Sequence, residues 1–157
     1  MANLMGYTKI FAGDTTVIDT QKMHPLGTRS FDKNGNEYIY LTGVASTVYG
    51  SWVTFDEDHV TILATANAVG RVAIAMAATV ASTYGWYQIY GMHASACVRY
   101  AAFADNGIIY LTSIAGYVDN TDVAGDLILG SMGKGAAQGS AANVEISYPH
   151  VNDCADD

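Results

Sequence analysis

The chain has 157 residues, half of them hydrophobic, which suffices for one domain with its own core and excludes a disordered chain. Only 14% are charged, against about 25% in ordinary soluble domains, so Ser, Thr, Gly, Ala and Tyr must cover much of the surface, as suits permanent assembly with other chains. A net charge of −8, with eight acids and one base (Lys134) from residue 100 onward, excludes the clustered Lys and Arg that nucleic-acid binding requires.

The two cysteines, Cys97 and Cys154, do not form a disulfide framework, and free thiols made in a reducing compartment are expected. No basic-then-apolar leader opens the chain, so export by a signal peptide is not expected. The longest apolar run, Val72 to Ala81, falls well short of the ~20 residues that span a bilayer as a helix.

Residues 1–12 are mildly apolar and read as a first strand or as an arm ordered by a partner. Thr15 to Ile18 predicts a short strand, and Pro25 with Gly27 predicts an irregular loop over 21–29. Asn34-Gly35 is a hairpin signal, pairing Arg29–Phe31 with Glu37–Thr42. A second hairpin joins Ser51–Phe55 to His59–Thr65 across the acidic tip Asp56-Glu57-Asp58.

Alanine-rich residues 63–81 pose a conflict between helix propensity and strand pattern. From Arg71 large and small residues alternate (Val72, Ile74 and Met76 against Ala73, Ala75 and Ala77), which predicts a strand over 71–77. Gly85 to Gly91 follows, with Trp86, Gln88 and Tyr90 facing one way and Tyr87 and Ile89 the other. Rings on both faces require cover on both, either from the core alone or from the core on one side and an interface on the other. Ala94–Ala101 and Ile108–Ser113 read as further strands, the latter after an Asp105-Asn106-Gly107 turn. Tyr117-Val118 and Leu127–Leu129 are short apolar pieces, and Ser131–Ala142 is a mobile glycine-rich loop. Val144, Ile146 and Tyr148 alternate with Glu145 and Ser147 to close the fold, before an acidic tail at 153–157.

About nine short strands separated by turn signals predict an all-β fold, a single compact β-barrel or sandwich with glycine-rich loops over residues 13–152. Candidate chemistry is sparse. His24, His59, His93 and His150 never pair at metal-ligand spacing, and no metal or cofactor is expected. Asp56, Asp58 and His59 read as a solvated hairpin tip, and Asp119-Asn120-Thr121-Asp122 lacks the glycine and glutamate of a calcium loop. In Gly133-Lys134-Gly135 a glycine stands where a phosphate loop needs Ser or Thr. His93 and Cys97 would share a strand face, but no acid nearby orients them, so a structural cysteine is expected. No catalytic residues are assigned and no enzymatic activity is expected. The aromatics Trp86, Tyr87, Tyr90, Tyr38, Tyr40 and Trp52 suit a β core or an oligomer seam, with sugar stacking the alternative.

Three segments carry a likeness: HPLGTRSFDKNGNEYIYL (24–41), VAIAMAATVASTYGWYQIYG (72–91), and DNGIIYLTSIAGYVDN with VAGDLILG (105–120 and 123–130). In them the chain resembles the small capsid decoration, or cement, proteins of tailed bacteriophages. The resemblance implies a β-rich module on the virion exterior, made in the host cytoplasm, that forms homotrimers and bridges subunits of the major capsid protein. The charge distribution and the short apolar runs lead to the expectation of no direct nucleic-acid partner and no membrane partner. An N-terminal arm, here Tyr7, Lys9, Ile10 and Phe11, would join the shell, and Trp86, Tyr87 and Tyr90 would lie where the core meets the subunit contact. The alternative function is a carbohydrate-binding or host-attachment module using exposed Trp86 or Trp52.

Overall fold

The computed structural model describes residues 13–97, 104–136 and 139–152. Ten strands and no helix occur among them: β1 Arg29–Phe31, β2 Glu37–Thr42, β3 Trp52–Phe55, β4 Thr61–Leu63, β5 Gly70–Ala75, β6 Tyr84–Cys97, β7 Tyr110–Leu111, β8 Val118–Asp119, β9 Ile128–Gly133 and β10 Ala141–Val151. Eight make one antiparallel sheet in the order β1-β2-β6-β10-β5-β3-β4, with β9 on the free edge of β10. The sheet curls into a half-barrel, and β7 with β8 forms a separate ribbon. The all-β single domain is as the turn spacing predicts.

Two long strands generate the curl. One edge of β6 carries β2, from Thr42 opposite Tyr84 to Glu37 opposite Tyr90. Its other edge changes partner, from β5 (Ala75 and Ile74 opposite Tyr87 and Gln88) to β10 (Ser147 opposite Tyr90, onward to Ala141 opposite Cys97). β5 changes partner too, from β6 to β10 at Arg71 opposite His150. The three strands therefore meet in a fork, and Tyr148 and Pro149 lie in its unpaired step. Proline suits that step because it has no N–H to contribute to a ladder.

The alternation read at residues 71–77 is a strand as far as Ala75, with Met76 and Ala77 in the bend that follows, because both of its faces are buried. Val72 and Ile74 join Trp52, Ile109, Leu111, Val144 and Ile146 on one side. Ala73 and Ala75 join Ile39, Leu41, Val53, Phe55, Tyr87 and Ile89 on the other. A smaller cluster holds Tyr38, Tyr40, Met76 and Trp86. Each fully buried large aliphatic side chain contributes about 1.5–3 kcal/mol, so alanine propensity is outweighed by packing.

Both predicted hairpins form, and they use the same turn. In the first, Gly35 N–H donates to Asp32 O, and Asp32 Oδ1 accepts the N–H groups of Asn34 and Asn36. In the second, His59 N–H donates to Asp56 O, and Asp56 Oδ1 accepts those of Asp58 and Val60. Gly35 (φ +84°) and His59 (φ +63°) take the left-handed position that a three-residue hairpin loop requires. The left-handed His59 also delays the returning strand, which starts at Thr61.

Several elements differ from the sequence expectation. Thr15–Ile18 is a turn, its Thr16 N–H and hydroxyl both donating to Asp14 Oδ1, and only Asp19 bridges to Tyr84. Gly91 does not end a strand; β6 continues to Cys97, so the expected strand at Ala94–Ala101 is its extension as far as the described residues reach. A bulge there sets Ala94 outside and Ala96 inside. The strand expected at Ile108–Ser113 shrinks to Tyr110–Leu111, because the Thr112 hydroxyl bonds to Ile114 and turns the chain away. β9 reaches Gly133 and β10 begins at Ala141, which shortens the expected glycine-rich loop from both ends.

Candidate interaction surface

Of the residues expected at an interface, Tyr7, Lys9, Ile10 and Phe11 lie outside the described residues. The other three separate. Trp86 is 4% exposed and packs at 5.1 Å from the Tyr40 ring and 5.3 Å from the His24 ring. Tyr87 is fully buried, its hydroxyl donating to Thr42 O at 3.1 Å and lying 2.7 Å from Thr79 Oγ1. Tyr90 is 42% exposed, and its ring lies 5.4 Å from that of Tyr148. Two of the three aromatics belong to the core of the chain, and one faces out.

Tyr148 was expected to point inward with Val144 and Ile146. Its φ of +48° and the register shift between Ile146 and His150 turn it out instead, and it is 49% exposed. A bulge reverses which face the next side chain takes. Tyr148 thereby reaches β2, where its hydroxyl donates to Glu37 Oε2 at 2.5 Å. Arg29 Nη1 donates to Glu37 Oε1 at 3.2 Å and its guanidinium lies 5.8 Å from the Tyr148 ring centre. Glu37 is 2% exposed, so these two bonds are what makes its burial tolerable. The bond to Glu37, with partial burial, raises the Tyr148 phenol above its ordinary range.

Around this network the strand register assembles an apolar strip. Phe31, Glu37, Tyr90 and Ser147 lie opposite one another across β1, β2, β6 and β10. The next level on the same face runs Met92, Glu145 and Met132 across β6, β10 and β9. Phe31, Tyr90, Met92, Met132 and Tyr148 are all exposed. Directly opposed residues share a sheet face, so Phe31, Tyr90, Met92 and Met132 come to one face, with exposed Glu145 between the two methionines, and Tyr148 joins them through the Tyr90 ring.

Other candidates are put to structural use. Both Asp56 and Asp119 spend an oxygen on their own turns, Asp119 Oδ1 accepting from Thr121 N–H. No group of three potential metal ligands occurs among the described residues. The Cys97 thiol donates to Tyr49 O and is pushed up by burial, while burial lowers His93 to about 4. A raised thiol and a neutral imidazole are the reverse of an activated pair. Trp52 and Trp86 are both buried, so neither offers a ring face to a sugar.

No family model, no curated protein and no solved structure matches the chain.

Proposed function

We propose that the chain is a structural virion protein that decorates the outer surface of a phage capsid and bridges its subunits. The observation that carries this reading is the strip of Phe31, Tyr90, Met92, Met132 and Tyr148 on one sheet face. Aromatic and methionine side chains are enriched at protein interfaces, and a cluster of them in a chain with so few charges favours association over solitary solubility. The partners are the major capsid protein and further copies of the chain, a homotrimer being the arrangement the decoration-protein likeness implies. Every bridged contact adds free energy to the closed shell, and symmetry multiplies it.

The test is binding to expanded shells that lack the protein, followed by heating of the particles. Wild-type protein binds and raises the temperature at which particles rupture. Tyr90→Ser with Met132→Ser, which changes only exposed side chains, weakens binding by at least about tenfold, since truncated interface anchors cost roughly 2 kcal/mol each. Absence of binding, together with unchanged heat resistance, would sink the proposal.

A further inference from the structure

The fork between β5, β6 and β10 opens a cleft beside the apolar strip, the two sharing Tyr148. It has a volume of about 50 Å³ and is lined by Arg29, Phe55, Arg71, Val72, Ile89, Tyr148 and Pro149. One water needs about 10–15 Å³ of such space, so the cleft admits a group the size of a carboxylate. Val72, Ile89 and Pro149 give it an apolar floor where ladder bonding between the three strands is interrupted.

Two of the chain's seven basic residues stand at this one cleft, in a molecule of net charge −8. Arg29 is held by Glu37, whose other oxygen is taken by Tyr148. Arg71 is different. Its guanidinium lies 5.1 Å from the centre of the Phe55 ring, which orients it, and it makes no ion pair among the described residues. Half-buried His150 stands opposite Arg71 in the β10–β5 register. The acidic tip that follows Phe55 makes no ion pair with Arg71, and Asp56 turns its Oδ1 to Asp58 and Val60. The lining therefore carries two guanidinium groups and no carboxylate, while Glu37, which holds Arg29, is buried and engaged at both oxygens.

We infer that this cleft binds the side-chain carboxylate of an aspartate or glutamate on a partner protein, with Arg71 as the principal donor. The fork of guanidinium N–H groups matches two carboxylate oxygens, and the methylene stem of the acid rests on Val72, Ile89 and Pro149. A phosphate has no methylene to place on that floor, and a polyanion is repelled by the rest of the molecule, which favours the acidic side chain as occupant. The carboxylate site and the capsid proposal share only the premise of a protein partner, and they can fail separately.

The experiment follows the arginine Nε–Hε signals of the folded protein in ¹H–¹⁵N spectra. The probes are N-acetylglutamate N′-methylamide, its glutamine counterpart and inorganic phosphate. The glutamate probe is expected to shift the Arg71 signal saturably and to bind at least about tenfold more tightly than the glutamine probe, as a charge-assisted pair requires. Arg71→Met keeps an aliphatic stem over Phe55 and should abolish the response at the Arg29 signal. Equal response to the glutamine probe, tighter binding of phosphate, or an unchanged response in folded Arg71→Met would each overturn the inference. The comparison of glutamate with glutamine in the wild-type protein stands even if the variant fails to fold.

Discussion

His93 shows how much a single buried group can set. It is 1% exposed, its Nδ1 accepts the Ser95 N–H at 3.2 Å, and its Nε2 has no partner among the described residues. Burial without an anion penalises the imidazolium, lowering the pKa from 6.5 to about 4. A depressed folded-state pKa means that the unfolded chain takes up a proton first. Stability is therefore full above about pH 6.5 and falls as pH drops toward 4, by roughly 3 kcal/mol from this group alone. Urea unfolding at a series of pH values should show this slope, and His93→Asn, which keeps an acceptor for Ser95, should flatten it between those limits. An equally steep slope in the variant would refute the assignment. Asp32 works in the opposite chemical sense. Partial burial opposes its ionisation, but hydrogen bonds from Asn36, Tyr38 and Asn34 outweigh it and hold the carboxyl below its ordinary value. Its contribution is present above the unfolded carboxylate range and is lost on acidification through the depressed value.

At the scale of the element, β6 is one strand with two jobs, and Gly91 is where the job changes. Before it, the strand lies between β2 and β5; after it, β10 takes over. Gly91 has φ +101°, and a Cβ placed there would stand 2.1 Å from Asn36 Oδ1. That oxygen accepts the Met92 N–H, so the turn of the β1–β2 hairpin is latched onto β6 at this point. Gly91→Ala meets both a disfavoured backbone and an occupied space, and should lower stability by about 1–3 kcal/mol. Thermal melting of the variant measures it, and an unchanged midpoint would show that the latch is dispensable. The same glycine explains why a strand end was expected there. A glycine in a strand pattern marks either a stop or a close approach of another chain segment, and sequence spacing does not distinguish them.

For the molecule as a whole, the division between inside and outside decides what each aromatic does. Trp86 fills the cluster of Tyr38, Tyr40 and Met76, so Trp86→Ala should cost about 3–5 kcal/mol of folding stability. Tyr90→Ser, on the exposed face, should leave the unfolding midpoint within the small range of surface substitutions while weakening association. Chemical denaturation and sedimentation of the two variants separate the effects. Loss of folding stability in Tyr90→Ser, with none in Trp86→Ala, would invert the partition. The cleft and the apolar strip adjoin through Tyr148, whose ring contacts Tyr90 and whose flank lines the fork. A partner lying along the strip would thus bring its side chains to Arg71 as well.

The fold class and most strand positions were legible in the order of residues, because a pleated strand shows its faces at period two and tight turns demand Asp, Asn or Gly at defined places. That is why the hairpins at Asp32–Asn36 and Asp56–His59, and the strand that runs from Gly70 to Ala75, were readable. The pairing of Trp86 with the inside and Tyr90 with the outside was not. Along an isolated strand Trp86, Gln88 and Tyr90 share a face, and only the register shift opposite Glu37, with the change of neighbour near Gly91, brings Tyr90 to the surface. Tyr148 was misplaced for the same reason, since a bulge has no signature in alternation. Arg29, Arg71 and Tyr148 converge on one cleft although β1, β5 and β10 are far apart in the chain. Their meeting depends on β6 and β10 each changing partners along their length, a long-range choice made by packing rather than by local propensity.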